Sequence, residues 1–466
     1  MEEEQLVDNE DSGSSSTIWE SCKKFVSAIT IEPAVFCLVF SYGVLINVTP
    51  TLLLDRCCRA DYGYSQDICD NLKEHENELK ECQIWSNQIN VYKQLLQSIP
   101  SAIIALFAGA WTDKYGRKPA ILVPLFFNVL EYIFYLVFSL YEQLSDKWYI
   151  LSAVYGLGGG LPLFLAATFS YITDISSVEQ RNLRVSLIDG SLFIGLPLGS
   201  IFSGMMLKKI GYVGIFSISI AFMATSFIYV LFRINDSRSN LSVETEGSSG
   251  LTSILKETYR AVFKKRPERT ASFLLMISMF LYVSCNGINV YYYTIVMYQW
   301  SEEMYSYFFS VFVFVDGIFS YIVYPFFMHK VHASDPTLGI VGELVSFVKS
   351  LILVYSFNTN IFIIGYIFGV IGSYTGVVIR STISKISPKE NIGKIFAVIG
   401  FLEALVPIVS SAVFTYIYNN TVDIYPGWIF MALALIHGII LILLMVVHAI
   451  FSKSSNQSWL VEFYNK

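Results

Sequence analysis

Long apolar runs broken by short polar stretches dominate this chain, and the length of the runs sets the architecture. A helix crossing ~30 Å of hydrocarbon needs about twenty mostly apolar residues. Twelve runs qualify: Ile31–Leu54, Ile89–Trp111, Pro119–Leu140, Trp148–Thr173, Val185–Leu207, Tyr212–Phe232, Ala271–Tyr298, Tyr305–Met328, Leu338–Phe357, Ile361–Ser384, Ile395–Tyr418 and Gly427–Phe451. In lipid every backbone group has to be satisfied within the protein, so such runs are helices. The pattern therefore predicts an all-α membrane protein of twelve transmembrane helices. A polar interruption, Asn235–Gly250, splits them into two six-helix bundles.

The divisions that follow are residues 1–30, a cytoplasmic N-terminal tail; 31–233, an N-terminal bundle; 234–269, a cytoplasmic linker; 270–452, a C-terminal bundle; and 453–466, a cytoplasmic tail. Within the linker, Leu251, Ile254, Leu255, Val262 and Phe263 alternate at helical spacing with Lys256, Arg260, Lys264 and Lys265. That is an amphipathic helix suited to the membrane surface. The first residues, acidic and then Ser-rich, lack the basic-then-apolar order of a cleavable signal peptide.

Composition agrees. Hydrophobic residues make up 54% of the chain and charged residues 15%, with mean hydropathy +0.54, whereas a soluble chain carries about 25% charged residues. The net charge of −6 does not suggest a nucleic-acid partner. Position tells more than sum. Lys114, Arg117, Lys118, Arg181, Arg184, the cluster from Arg233 to Arg269, Lys330, Lys385 and Lys389 fall in alternate loops, while the loops after spans seven, nine and eleven hold no Lys or Arg. By the positive-inside rule both termini are cytoplasmic. The first outward loop, Asp55–Gln88, then faces an oxidising side and holds Cys57, Cys58, Cys69 and Cys82, four of the seven cysteines. Four cysteines allow three pairings, and the sequence leaves all three open. Asn419-Asn-Thr421 is a glycosylation sequon close to the membrane.

The decapeptide Gly109-Ala-Trp-Thr-Asp-Lys-Tyr-Gly-Arg-Lys118 joins spans two and three. Gly109 permits close helix approach, Gly116 supplies a turn without a Cβ clash, and Asp113 can accept from a helix N-terminus. Lys114, Arg117 and Lys118 hold the hairpin on the cytoplasmic side.

Charged residues at membrane depth are costly and mark function or fixed ion pairs. The candidates are Glu131, Asp189, Asp316, Glu343, Lys349, Arg380, Glu403 and His437, with Asp174 nearer the inner face. Asp189 lies among Leu187, Ile188, Leu192 and Phe193, a setting that raises a carboxyl pKa into a range where a proton can be taken and released. Arg380 keeps its charge and offers a planar fork to an anion. Glu403 is its candidate partner in an empty site and a second proton-coupling candidate. From the run Tyr291-Tyr-Tyr293, which faces several directions on one helix, Tyr292 is the substrate-facing candidate. No nucleotide-binding loop, catalytic triad or cofactor motif stands out, which argues against an enzyme.

The hairpin fills every fixed position of G-x-x-x-D-[RK]-x-G-[RK]-[RK] and resembles the signature loop of the major facilitator superfamily. Four further stretches resemble the proton-coupled folate transporter family, solute carrier family forty-six. They are Tyr171–Ser177 with Gln180-Arg181 and Arg184–Asp189; Val378–Lys385; Phe401–Ala404; and Tyr425–Phe430. The resemblance implies a proton-coupled symporter of an organic anion such as folate. It puts Asp189 at the proton-coupling carboxylate, Arg380 in the substrate region, and Asp113 and Asp174 at the inner gate. There are two departures, of which the first counts against folate itself; other members of the family resemble carriers of muropeptides and cyclic dinucleotides. Ile288 stands where the folate branch has a histidine, and the loop Gln299–Glu303 lacks the family's outward cysteine, which favours a bridge within the first loop. A uniporter or exchanger that uses no proton is the other alternative. The expected partners are a small anionic molecule, protons and lipid, with the chain a monomer or weak homo-oligomer. The expected location is the plasma membrane or, alternatively, an endolysosomal membrane.

Overall fold

The computed structural model describes residues 29–176, 178–236, 263, 269–286, 290–320, 335–387 and 392–454. The predicted tails, most of the linker with its amphipathic helix, and Ile288 lie outside them, as do the side chains at Asp113, Lys114 and Asp189 and the surroundings of Gly109.

Helices in chain order are α1 (Glu32–Arg56), ending in a π-turn at Cys57–Asp61, α2 (Gln66–Asp70), α3 (Glu76–Tyr115) and α4 (Arg117–Leu140). A 3₁₀ stretch, Asp146–Gly158, leads into α5 (Gly160–Ile175), and α6 (Val178–Arg233) follows. The second half comprises α7 (Arg269–Asn286), α8 (Tyr291–Tyr298), α9 (Glu302–Ile318), α10 (Asp335–Val354), α11 (Thr359–Gly369), α12 (Thr375–Ile386), α13 (Ile392–Thr421) and α14 (Trp428–Ser454).

Eight helical stretches among the described residues are long and apolar enough to cross a membrane. One of them, Gly190–Arg233, makes two crossings, since Gly211 at φ +64° turns the chain between the fifth and sixth predicted spans. Three expectations need correcting. The seventh span is two helices, α7 and α8, rather than one. The fourth begins as 3₁₀ and becomes α-helical only past Gly159 (φ +80°), in a glycine-rich run. The second extends well beyond hydrocarbon length, because α3 continues into the outward loop.

Hydrophobic packing follows the two halves. One apolar core draws only on residues from Ile31 to Ile234, another only on residues from Ala271 to Phe451. In the first, α1 and α6 meet backbone to backbone. A Cβ on Gly199 would sit 1.9 Å from the Phe40 carbonyl oxygen, and one on Gly43 would sit 2.1 Å from that of Leu196. Gly195 and Gly199 are thus a small-xxx-small pair working as in membrane helix dimers.

A third core joins the halves at one end, combining Leu54, Cys57, Cys58, Leu79 and Cys82 with residues Cys285 to Leu433. We call this the outer end, because the segment 57–75 lies there. Polar contacts between the halves gather at it. Asn47 Nδ2 donates to Ser306 Oγ at 2.7 Å, and Thr51 and Tyr291 share a 2.8 Å bond. Lys73 reaches Glu302 at 3.1 Å, and Tyr418 donates to Gln83 at 3.1 Å. Gly204 lets α9 come close, for a Cβ there would lie 2.5 Å from Ser306 Oγ. The outer end is closed.

Candidate functional site

The hairpin at the opposite end is built around Gly116. Its φ of +94° suits glycine, and any Cβ would collide with the Asp236 carboxylate. That carboxylate accepts from the Arg117 backbone N–H at 3.1 Å, at the start of α4, where a negative charge meets the positive end of the helix. Arg117 in turn donates through Nε to Asp174 at 3.0 Å and through Nη1 to Thr112, joining the hairpin to the end of α5. Lys118 donates to the Leu231 carbonyl at 2.7 Å. Asp236 was read from sequence only as part of a polar linker. A lone carboxylate in such a stretch carries no signal of its partner, which is 119 residues away.

Arg380 lies on α12, six residues from its inner end, about 9 Å of helix. Its Nη2 donates to Glu403 Oε1 on α13 at 2.7 Å. The two side chains are 44% and 27% exposed. α13 touches the first half at its outer end, through Tyr418 and through Asn419 Nδ2 on the Ile84 carbonyl at 3.4 Å. Glu403 lies 18 residues inward of Thr421, about 27 Å along the helix axis. The pair is therefore displaced from the closed end, and both side chains are partly exposed.

Position 189 lies in α6, one turn inward of Phe193 and on the same helical face. Phe193 packs at Gly317 of α9, where a Cβ would come within 2.5 Å of its ring. Position 189 thus sits just inward of the α6–α9 contact. Tyr292 is only 7% exposed, with its hydroxyl at 3.5 Å from the Pro50 carbonyl. It belongs to the closed outer end in this conformation and does not meet Arg380.

The other membrane-depth charges fall into three groups. Lys93 on α3 donates to Glu131 on α4 at 2.9 Å, and the Tyr135 hydroxyl donates to the same oxygen at 2.8 Å. Lys93 Nζ also lies 5.8 Å from the ring centres of Tyr135 and Tyr149. In the second half, Lys349 on α10 has Nζ 4.4 Å from the Tyr366 ring centre, and Asp316 lies on the preceding span, α9. The halves thus each carry a lysine and a carboxylate on their second and third spans with the signs exchanged, buried in the first half and partly exposed in the second. The third group, Glu343 and His437, meets at 2.8 Å between α10 and α14. Lys93 was not singled out from sequence, because its span reads as apolar only if one lysine is tolerated.

In the first outward loop a disulfide joins Cys58 and Cys69, while Cys57 and Cys82 are free and buried. Asn419, the sequon residue, is half-buried in the last turn of α13 and accepts from Asn87 Nδ2 at 3.3 Å. Among the described residues no cluster of His, Cys, Asp and Glu could hold a metal ion.

A profile described as "Major Facilitator Superfamily" matches residues 34–411. The chain belongs to that superfamily. Its fold agrees. It superposes on the human organic anion transporter MFSD10 (TETRAN) with TM-score 0.64 at 13% identity, over 89% of this chain and 97% of that one. For the D-xylose-proton symporter the values are 0.66 and 14%, over 90% and 97%. It is also similar to members of solute carrier family 46. It is 26% identical to a probable peptidoglycan muropeptide transporter SLC46 of Drosophila melanogaster, over 89% of this chain and 84% of that protein. The lysosomal proton-coupled steroid conjugate and bile acid symporter SLC46A3 of Gallus gallus is 23% identical, over 86% and 90%. The proton-coupled folate transporter of Rattus norvegicus is 21% identical, over 86% and 88%. The protein is a multi-pass membrane transporter, and enzymatic activity has no support from fold or family.

Proposed function

We propose that this chain is an alternating-access symporter that carries an organic anion toward the cytosol with a proton. The observation that carries the reading is Arg380, a permanently charged fork in a membrane helix that is nearly half exposed and, among the described residues, held by Glu403. A buried structural arginine would be enclosed by acceptors. An exposed one beside a carboxylate can exchange that carboxylate for a substrate's. Glu403 then becomes free to take a proton, and Asp189 is the main coupling carboxylate on the facing bundle. Neutralising Asp189 removes the cost of carrying a charge through a closed intermediate. Tyr292 would meet substrate only once the outer end opens.

With both termini cytoplasmic, the outer end faces either the extracellular space or an endolysosomal lumen. An endolysosomal lumen, or an acidified extracellular surface, would make uptake run from the more acidic side. Folates, bile acids and muropeptides, among the cargo classes named for the relatives, carry carboxylates. A competition panel of these classes and cyclic dinucleotides, run at acidic pH in cells expressing the chain, identifies the substrate. Arg380→Ala at normal surface expression should abolish uptake of whichever class competes. Unchanged kinetics in that variant would return Arg380 to a packing role.

A further inference from the structure

Four cysteines meet at the outer end, and the Cys58–Cys69 disulfide accounts for two of them. The others, Cys57 and Cys82, are each 0% exposed and belong to one buried cluster with Leu54 and Leu79. Cys57 opens the π-turn that follows α1, and Cys82 sits in the second turn of α3, an element packed against that π-turn. Both side chains lie in the apolar cluster where that π-turn and α3 pack together. Two thiols so placed, beside a disulfide that has already formed and on the same face of the protein, share its redox environment.

We propose that Cys57 and Cys82 form a second disulfide, nested outside the Cys58–Cys69 bridge and tying the outer end of α1 to α3. The inference rests on the outward orientation of this loop. Oxidation removes two protons and two electrons from the thiols. The acceptor is a disulfide of the secretory pathway, which leaves as a dithiol, and exchange proceeds through a mixed disulfide before the loop packs and buries both sulfurs. The bridge has a mechanical consequence. Cys82 precedes Gln83, which accepts from Tyr418 of the other half, and the stapled loop carries Lys73 to Glu302. Both closing contacts then belong to one covalently braced lid.

Peptide mapping of the full chain tests this without a variant. After free thiols are alkylated, non-reducing trypsin cleaves at Arg56, Arg59, Lys73, Lys80 and Lys93. The expected product is the tripeptide Cys57–Arg59 linked to both Ala60–Lys73 and Glu81–Lys93. In Cys58→Ser/Cys69→Ser, the tripeptide should remain linked to Glu81–Lys93 alone, which identifies Cys57 as the partner. Alkylated Cys82 beside an intact Cys58–Cys69 link would overturn the proposal. Alkylation of all four cysteines would overturn both the proposal and the outward orientation.

Discussion

Asn47 offers the sharpest test of the outer closure. Its amide has two protons, and two acceptors lie at strong distances, Ser200 Oγ at 2.8 Å and Ser306 Oγ at 2.7 Å. Ser200 belongs to the same half, so that bond persists when the outer end opens. Only the Ser306 bond differs between the two states, and only a differential interaction shifts an equilibrium. Asn47→Ala leaves Ser306 Oγ with its own bond to the Glu302 carbonyl at 2.7 Å, so no new orphan is created. The expected loss is that of one neutral hydrogen bond, about 1 kcal/mol, or roughly a fivefold change in the ratio of closed to open outer ends. Thr51–Tyr291 and Lys73–Glu302 remain, so the closed state survives. Pulsed electron-spin distances between labels at Lys208, just before the outer turn of α6 at Gly211, and Glu303, in the first turn of α9, read that ratio directly. The longer-distance population should rise about fivefold. An unaltered distribution would mean that the Asn47–Ser306 contact does not hold the outer end shut.

Other outcomes follow from the same geometry. Gly204→Val places carbon where Ser306 now sits; the same labels should report the open outer end as the main population, and a retained closed distribution would refute the close approach. Lys93→Met strands a Glu131 that is 1% exposed, an expected loss of about 3–5 kcal/mol, whereas Lys93→Met/Glu131→Leu should recover most of it; thermal melting in detergent decides. Gly116→Ala meets both a positive φ and the Asp236 carboxylate and should cost about 1–3 kcal/mol, read in the same melts. Asn419→Gln should leave electrophoretic mobility unchanged, since its amide is engaged with α3 in the closed state; a loss of mass equal to a glycan would contradict that.

How much of this was legible in sequence depends on the range of the interaction concerned. Span lengths and the division near residue 235 could be read directly, because hydrocarbon thickness fixes the number of apolar residues a crossing needs. The turn at Gly116 was legible for a local reason, as only glycine adopts its φ without strain. The Gly195-x-x-x-Gly199 spacing also stood in the sequence, and could have announced the α1–α6 contact had it been sought there. Hydropathy could not reveal the break between α7 and α8, since both pieces are apolar. Nor could it reveal partners far apart in sequence, such as Asp236 with Arg117 or Lys93 with Glu131. Charge alone named Glu131, Asp316 and Lys349 without saying which would pair. The choice among three cysteine pairings likewise needed a folded loop.

Two questions decide the mechanism: whether a proton moves with the anion and whether Asp189 carries it. The direct measurement is uptake of the identified substrate into proteoliposomes with an imposed pH gradient, acidic at the outer face, beside counterflow without a gradient. The wild-type chain should accumulate substrate above equilibrium and lose that accumulation with a protonophore. Asp189→Asn should keep counterflow and show no response to the gradient. Accumulation by Asp189→Asn equal to that of the wild type, or wild-type uptake indifferent to the protonophore, would contradict the coupling assigned here.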